Sequence, residues 1–178
     1  MKRTLWRVIT AWGLLLAMVL AVPAEESDYR RIETAGKKYT YNERITTILY
    51  ATAATEGELT VEDRCGIAPR VDTVELVILD HYHKRISLLS ISGDTLASVG
   101  RYTADGSAQG NRETQLGNAY AYGDGGKLSC RNLRDAVSDL LGGIPIHEYV
   151  VASAGSIDRI NELAGGITVT VPNNDLQI

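Results

Sequence analysis

Phenylalanine is absent from this chain of 178 residues, and tryptophan appears only twice. Nine tyrosines supply most of the aromatic area instead. A tyrosine ring carries a polar hydroxyl, so some of these rings are expected at the rim of the core or along a polar cleft. Positive charge is not in excess: 18 Lys and Arg stand against 22 Asp and Glu, a formal net charge of -4. A general nucleic-acid binder needs a basic face to displace counterions, so no nucleic-acid partner is expected. Cysteine is limited to Cys65 and Cys130. They permit one disulfide, but sequence fixes no distance between them, and two separate buried thiols are the expectation. The run Gly123-Asp124-Gly125-Gly126 lacks a following Lys-Ser/Thr and follows no strand, which excludes a P-loop. No nucleophile-elbow serine, internal repeat or low-complexity segment is present.

Hydrophobic residues make up 44% of the chain, enough for a core, and charged residues 22%, too few for a disordered polyelectrolyte. Lys2, Arg3 and Arg7 precede an uncharged apolar run of 14 residues, Ile9 to Val22. This is the pattern of an export segment, and residues 1–24 are read as a membrane anchor or signal. A spanning helix wants about 20 residues. Val22-Pro23-Ala24 offers small residues for cleavage, so anchor and cleaved signal both stay open. Either places the remainder outside the cytoplasmic membrane. Residues 25–42 are polar and read as a linker, leaving residues 43–178 as one domain.

Within that domain, Ile45 to Tyr50 (ITTILY) predicts a first strand, and the polar stretch Thr55 to Pro69 a long loop. Thr73 to Leu79 (TVELVIL), the polar turn Asp80 to Lys84 and Arg85 to Ile91 (RISLLSI) predict a hairpin. Its strands are apolar on both faces, so helices are expected on each side of the sheet. Gly100 to Asn111 reads as a second loop and Glu113 to Tyr122 as a helix. Leu133, Ala136, Val137, Leu140 and Leu141 repeat at helical spacing, with Ser129 as candidate cap and Gly142, Gly143 and Pro145 as the stop. His147 to Ala152 predicts a strand. Ser156 caps a short helix with Ile157, Ile160 and Leu163 inward, and Ile167 to Val171 (ITVTV) is a last strand. The class is α/β, a layered central β-sheet flanked by helices.

One constellation stands out. Arg70-Val71-Asp72-Thr73 precedes the second strand and Ser92-Gly93-Asp94-Thr95 follows the third. In an antiparallel pair, the start of one strand and the end of the next share an edge. Asp72 and Asp94 are therefore predicted neighbours, with Arg70 close by. Two carboxylates and an arginine there suit a divalent cation and a phosphate; as turn caps beside Thr73 and Thr95, the same aspartates need no ligand. His81 and His83 supply only two ligands and read as part of a solvated turn.

Taken in order, these segments resemble the LytR-CpsA-Psr (LCP) family of bacterial cell-envelope proteins, in a branch found in Clostridia-like bacteria. ITTILY is similar to that family's first strand, RVDT to its Arg-x-Asp-Thr motif, and RISLLSISGDT to the strand leading into Ser-Ile-Pro-Arg-Asp-Thr. NAYAYGDGG, LLGGIPIHEYV and INELAGGITVTVP match three further segments in order. The resemblance implies an extracytoplasmic α/β domain behind a single N-terminal helix. It implies transfer of a glycopolymer from a polyprenyl-pyrophosphate carrier to peptidoglycan, assisted by Mg²⁺. Carried onto this sequence, it makes Arg70 phosphate-binding, Asp72 a metal ligand and Asp94 catalytic. The chain departs from the pattern at Ala51-Thr52-Ala53-Ala54, where a Gly-x-Asp is usual, and at Ser92-Gly93, where Pro-Arg is usual. Family members continue past the GGITVTVP segment with further arginines, so a C-terminally incomplete fold is expected. Whether transfer survives these changes, or only binding of polyprenyl phosphate or glycan, or a structural role in the envelope, is left open.

Overall fold

The computed structural model describes residues 32–169. The apolar run of the export segment and the final residues of the chain lie outside them. Among the described residues no helix is long and apolar enough to cross a membrane.

A two-stranded ribbon, β1 (Ile32–Thr34) and β2 (Lys37–Tyr39), occupies part of the segment read as a linker. The central sheet is built from β3 (Ile45–Ala53), β4 (Val71–Asp80), β5 (Arg85–Ser92) and β8 (Glu148–Ser153), in the order β5-β4-β3-β8. β3–β4 and β4–β5 pair antiparallel, whereas β3–β8 pair parallel. A parallel pair needs a long crossover. Here it carries a second ribbon, β6 (Leu96–Tyr102) and β7 (Ala108–Gln115), and the helices α1 (Asn118–Ala121) and α2 (Lys127–Leu140). A 3-10 turn (Ala154–Ser156) and α3 (Ile157–Leu163) follow β8.

Strand alternation sorts the sheet into two faces. Leu49, Ala51, Ala53, Val74 and Leu76 point to the core, where they are buried with Ala119 and Tyr120 of α1 and Leu133, Ala136 and Val137 of α2. The α2 trio sits at the spacing read from the sequence. The opposite face carries the cross-strand row Ile48–Val77–Leu88 and the neighbours Ile86 and Val150. Leu88 is 64% exposed and Ile86 69%, so among the described residues this face is uncovered. Helices thus flank the sheet, but not on both sides within this region.

Several expectations need correction. Gly100 to Asn111 is not a loop, and Glu113 to Gln115 is not helical: both belong to the β6–β7 ribbon, with only residues 103–107 as its turn. β7 (AQGNRETQ) is exposed along most of its length, so it shows no alternation. Its partner β6 does, through buried Ala97 and Val99. Ile157, Ile160 and Leu163 are 47%, 47% and 74% exposed, because no described element lies over α3. Residues 167–169 form no strand, and the rest of that prediction lies outside the described residues.

A further correction concerns the start of α2. Ser129 does not cap it but lies inside the helix, buried. Its Oγ donates to the Tyr120 carbonyl at 2.6 Å and accepts the Gly125 amide at 2.8 Å. The cap is Asp124, whose Oδ1 accepts the amides of Gly126 (2.8 Å), Leu128 (3.1 Å) and Ser129 (3.2 Å). Three otherwise orphaned helix donors are thereby satisfied. Burial alone would raise the Asp124 pKa, but these amides together outweigh it and hold the carboxyl below its usual 3.8.

Asp124→Ala is expected to cost about 0.5–2 kcal/mol of stability at pH 7, the usual range for a lost cap. A depressed carboxylate pKa stabilises above the unfolded value and loses that contribution as pH falls through the folded value. Denaturant melts should therefore show the gap between wild type and variant shrinking as pH is taken below 3.8. A gap that widens on acidification contradicts the capping role.

Candidate functional site

Three backbone segments converge where β4 begins. The Gly117 amide donates to the Gly93 carbonyl at 2.8 Å, and the Val71 amide donates to the Gly117 carbonyl at 3.1 Å. The Leu116 amide reaches Thr95 at 2.8 Å. Both glycines are required by proximity. A Cβ on Gly117 would lie 2.3 Å from the Val71 carbonyl oxygen, and one on Gly93 would lie 2.9 Å from the same atom. The β3–β4 register slips between Thr52 and Ala53, so Asp72 is the extra residue of a bulge. Bulges re-aim side chains and recur beside functional sites.

Arg70 extends from this junction. Its Nη2 donates to Asp94 Oδ1 at 3.1 Å, its Nη1 to Gln115 Oε1 at 3.4 Å, and its Nε lies 3.7 Å from Asp72 Oδ1. The sequence-predicted trio is therefore brought together, and Gln115 joins it. Gln115 carried no sequence signal, because it sits on a strand read as a helix. Asp72 and Asp94 are 65% and 73% exposed, so each ion pair is a surface contact worth about 0–1 kcal/mol. The Nε atom is itself buried and has no hydrogen-bond partner. A buried unsatisfied donor costs about 1–3 kcal/mol.

The same geometry tests the Mg²⁺ expectation. Mg²⁺ takes one or two carboxylates together with waters and substrate phosphates. Here Asp72 and Asp94 flank a guanidinium that already occupies the space between them. The segment where the family pattern has its further Asp lies alongside, since the Ala54 amide donates to the Arg70 carbonyl at 2.9 Å, but it offers no carboxylate. Among the described residues no three His, Cys, Asp or Glu side chains converge on one point. The residues present do not fit a resident divalent cation, and no step is derived through one. Position 93 follows the same logic: the backbone closes on Gly93, leaving no room for the arginine that the family pattern has there.

The remaining candidates are structural. His83 Nδ1 pairs with Asp80 Oδ2 at 2.7 Å, and His81 Nε2 with Thr46 Oγ1 at 2.8 Å, so the two histidines brace the β4–β5 turn. Cys65 and Cys130 are separate thiols. Burial pushes both above their usual pKa, which keeps them protonated and unreactive at neutral pH.

The comparisons with known proteins agree with this frame. The model of the LytR_cpsA_psr family matches residues 27–177. The solved structure of yvhJ from Bacillus subtilis, described as a transcriptional regulator, superposes with a TM-score of 0.54 at 23% identity, covering 74% of this chain and 50% of its own. B. subtilis TagV gives 0.52 at 25% identity, with coverages of 74% and 45%. YwtF (TagT), whose structure holds octaprenyl pyrophosphate lipid, gives 0.51 at 19% identity, with coverages of 81% and 48%. The chain thus spans about half the length of these structures. No curated protein matches the sequence.

Gly117→Ala should force the junction apart and cost about 1–3 kcal/mol, the range for overpacking. Gly57→Ala, whose nearest neighbour would be 3.8 Å away, should stay within about 0.5 kcal/mol of wild type. Equal denaturation midpoints for the two variants would show that the close approach carries no energy.

Proposed function

The chain belongs to the LytR_cpsA_psr family, and on that premise we propose that it binds the pyrophosphate of a polyprenyl-linked glycopolymer through Arg70 during cell-envelope glycopolymer processing. One observation carries the reading: the backbone junction presents a partly exposed Arg70 guanidinium (39%) whose contacts, Asp72 and Asp94, are exposed and weak. A charge-assisted bond to a phosphate oxygen contributes about 1.5–3 kcal/mol, more than either surface pair beside it. Asp94 and Gln115 then hold the guanidinium plane in place for a bidentate approach. The octaprenyl pyrophosphate in TagT supports the ligand class. Location outside the membrane, behind residues 1–24, and peptidoglycan as acceptor belong to the same proposal.

A second reading, donor binding without transfer, is favoured by a specific observation. No carboxylate stands at Ala51–Ala54 and no side chain at Gly93, so the charge of a developing phosphodiester meets one arginine rather than a cluster. Transfer would assign Asp94 the catalytic role; binding alone leaves Asp94 and Asp72 as positioning residues for Arg70.

Titration of the full chain with octaprenyl pyrophosphate tests the proposal. Arg70→Gln should raise Kd about 10- to 150-fold, the equivalent of about 1.5–3 kcal/mol. A change below twofold rules Arg70 out as the phosphate contact. Adding peptidoglycan separates the two readings, since polymer transfer to it would assign catalysis and binding without transfer would not.

A further inference from the structure

A concave site lies on the crossover, apart from Arg70. It is a cleft of about 270 Å³ lined by Gly66, Arg101, Tyr102, Arg112 and Tyr122. Two of these groups are cations and two are phenols, and none touches Arg70 or its partners.

The local fold explains why they converge. Successive residues of a strand point to opposite faces, yet Arg101 and Tyr102 line one cleft. The β6–β7 register slips between Gly100 and Tyr102, and Gly110 on the partner strand adopts φ +79° there. This irregularity turns Arg101 toward Tyr102. Arg112 pairs across from the buried Val99, so it leans toward the body of the domain rather than away from it. Tyr122 follows α1. Gly66 is fixed by its amide donating to the Gly123 carbonyl at 3.1 Å, while Cys65 donates to Ala104 at 3.1 Å. The floor of the cleft is therefore pinned to both the ribbon and the α1–α2 connection.

The electrostatics are unbalanced. Among the described residues neither the Arg101 nor the Arg112 side chain makes an ion pair or a hydrogen bond. The carboxylate acting on Tyr102, Asp135, is itself held by Arg134 at 2.7 Å, and Arg131 adds a third positive charge beside the same ring. Burial, then Asp135, push the Tyr102 hydroxyl above its usual value, so it stays a donor at neutral pH. In a chain of net charge -4, two unpaired guanidiniums facing one concavity offer an anion a place to bind. Guanidinium forks match phosphate geometry, and tyrosine offers both an apolar ring face and a hydroxyl. The volume falls just below the roughly 300–1,000 Å³ of drug-sized sites, which suits one small unit.

We infer that the Arg101–Arg112 cleft binds a phosphate ester carried on a sugar, as a site separate from Arg70. The two guanidiniums take the phosphate, while Tyr102 and Tyr122 take the sugar ring. The inference does not rest on the Arg70 reading.

Calorimetric titration of the full chain tests it with glucose 1-phosphate, inorganic phosphate and glucose as probes. Glucose 1-phosphate should bind at least threefold more tightly than inorganic phosphate, and glucose should not bind measurably. The double variant Arg101→Gln/Arg112→Gln should raise the glucose 1-phosphate Kd at least tenfold, whereas Arg70→Gln should leave it within twofold. Tyr122→Ala should weaken glucose 1-phosphate while leaving inorganic phosphate unchanged. An unchanged Kd in the double variant overturns the site. Loss of binding in Arg70→Gln alone assigns the phosphate to the other site and also overturns it. Equal affinity for glucose 1-phosphate and inorganic phosphate overturns the sugar component. Both arginines are exposed, so their substitution should leave the thermal midpoint within about 2 °C, which confirms that a loss of binding is not unfolding.

Discussion

The carbonyl of Val71 is approached by two glycines at distances no other residue allows. Gly117 and Gly93 each lie where a Cβ would fall within 2.9 Å of that oxygen, and the hydrogen bonds between the three segments are 2.8 and 3.1 Å long. Because the loop after β5 and the start of α1 are drawn onto the first residue of β4, the side chains beside them inherit fixed positions. Asp94 comes from the first segment, Gln115 from the second, and Arg70 and Asp72 from β4 and its approach. The bulge at Asp72 falls at the same place. The candidate site is thus a product of backbone packing, not of attraction between its charges, which at this exposure is worth little.

Around that junction the domain is held by buried polar groups with few alternatives. Asn132 is 4% exposed and uses its whole amide: Nδ2 donates to Gly100 (3.0 Å) and Ala119 (2.7 Å), and Oδ1 accepts from Gly100 (3.0 Å). One side chain therefore ties β6, α1 and α2 together. Tyr120 is buried with its hydroxyl donating to the Gly125 carbonyl, and burial pushes its pKa up to about 12. It anchors the turn that Asp124 then caps. Satisfied networks of this kind specify one arrangement, since each broken member leaves an unpaired group behind. The uncovered sheet face contrasts with them: apolar, exposed and without polar constraint in the described region.

The sequence made some of this legible for clear reasons. Amphipathic spacing located α2, and the apolar runs with the Asp80–Lys84 turn located the β4–β5 hairpin to within two residues at each end. The antiparallel rule was enough to bring Asp72, Asp94 and Arg70 to one edge. The misses also have physical causes. β7 is exposed along most of its length, so pairing, not pattern, makes it a strand. Ser129 looked like a cap because residue type favours it, yet the acceptor position is won by Asp124, three residues before the helix starts at Lys127. The roles of Gly93 and Gly117 are three-dimensional close approaches, which no local pattern encodes. Gln115 and the Arg101–Arg112 cleft depend on the missed ribbon and were hidden with it.

The central claim is that the glycine junction positions Arg70 for a phosphate. A double-mutant cycle on octaprenyl pyrophosphate affinity, joining Gly117→Ala to Arg70→Gln, measures it most directly. If the junction acts through Arg70, Gly117→Ala weakens binding in the wild-type background but adds nothing further once Arg70 is removed. Fully additive losses would mean that the junction and the arginine act independently, and would contradict the account.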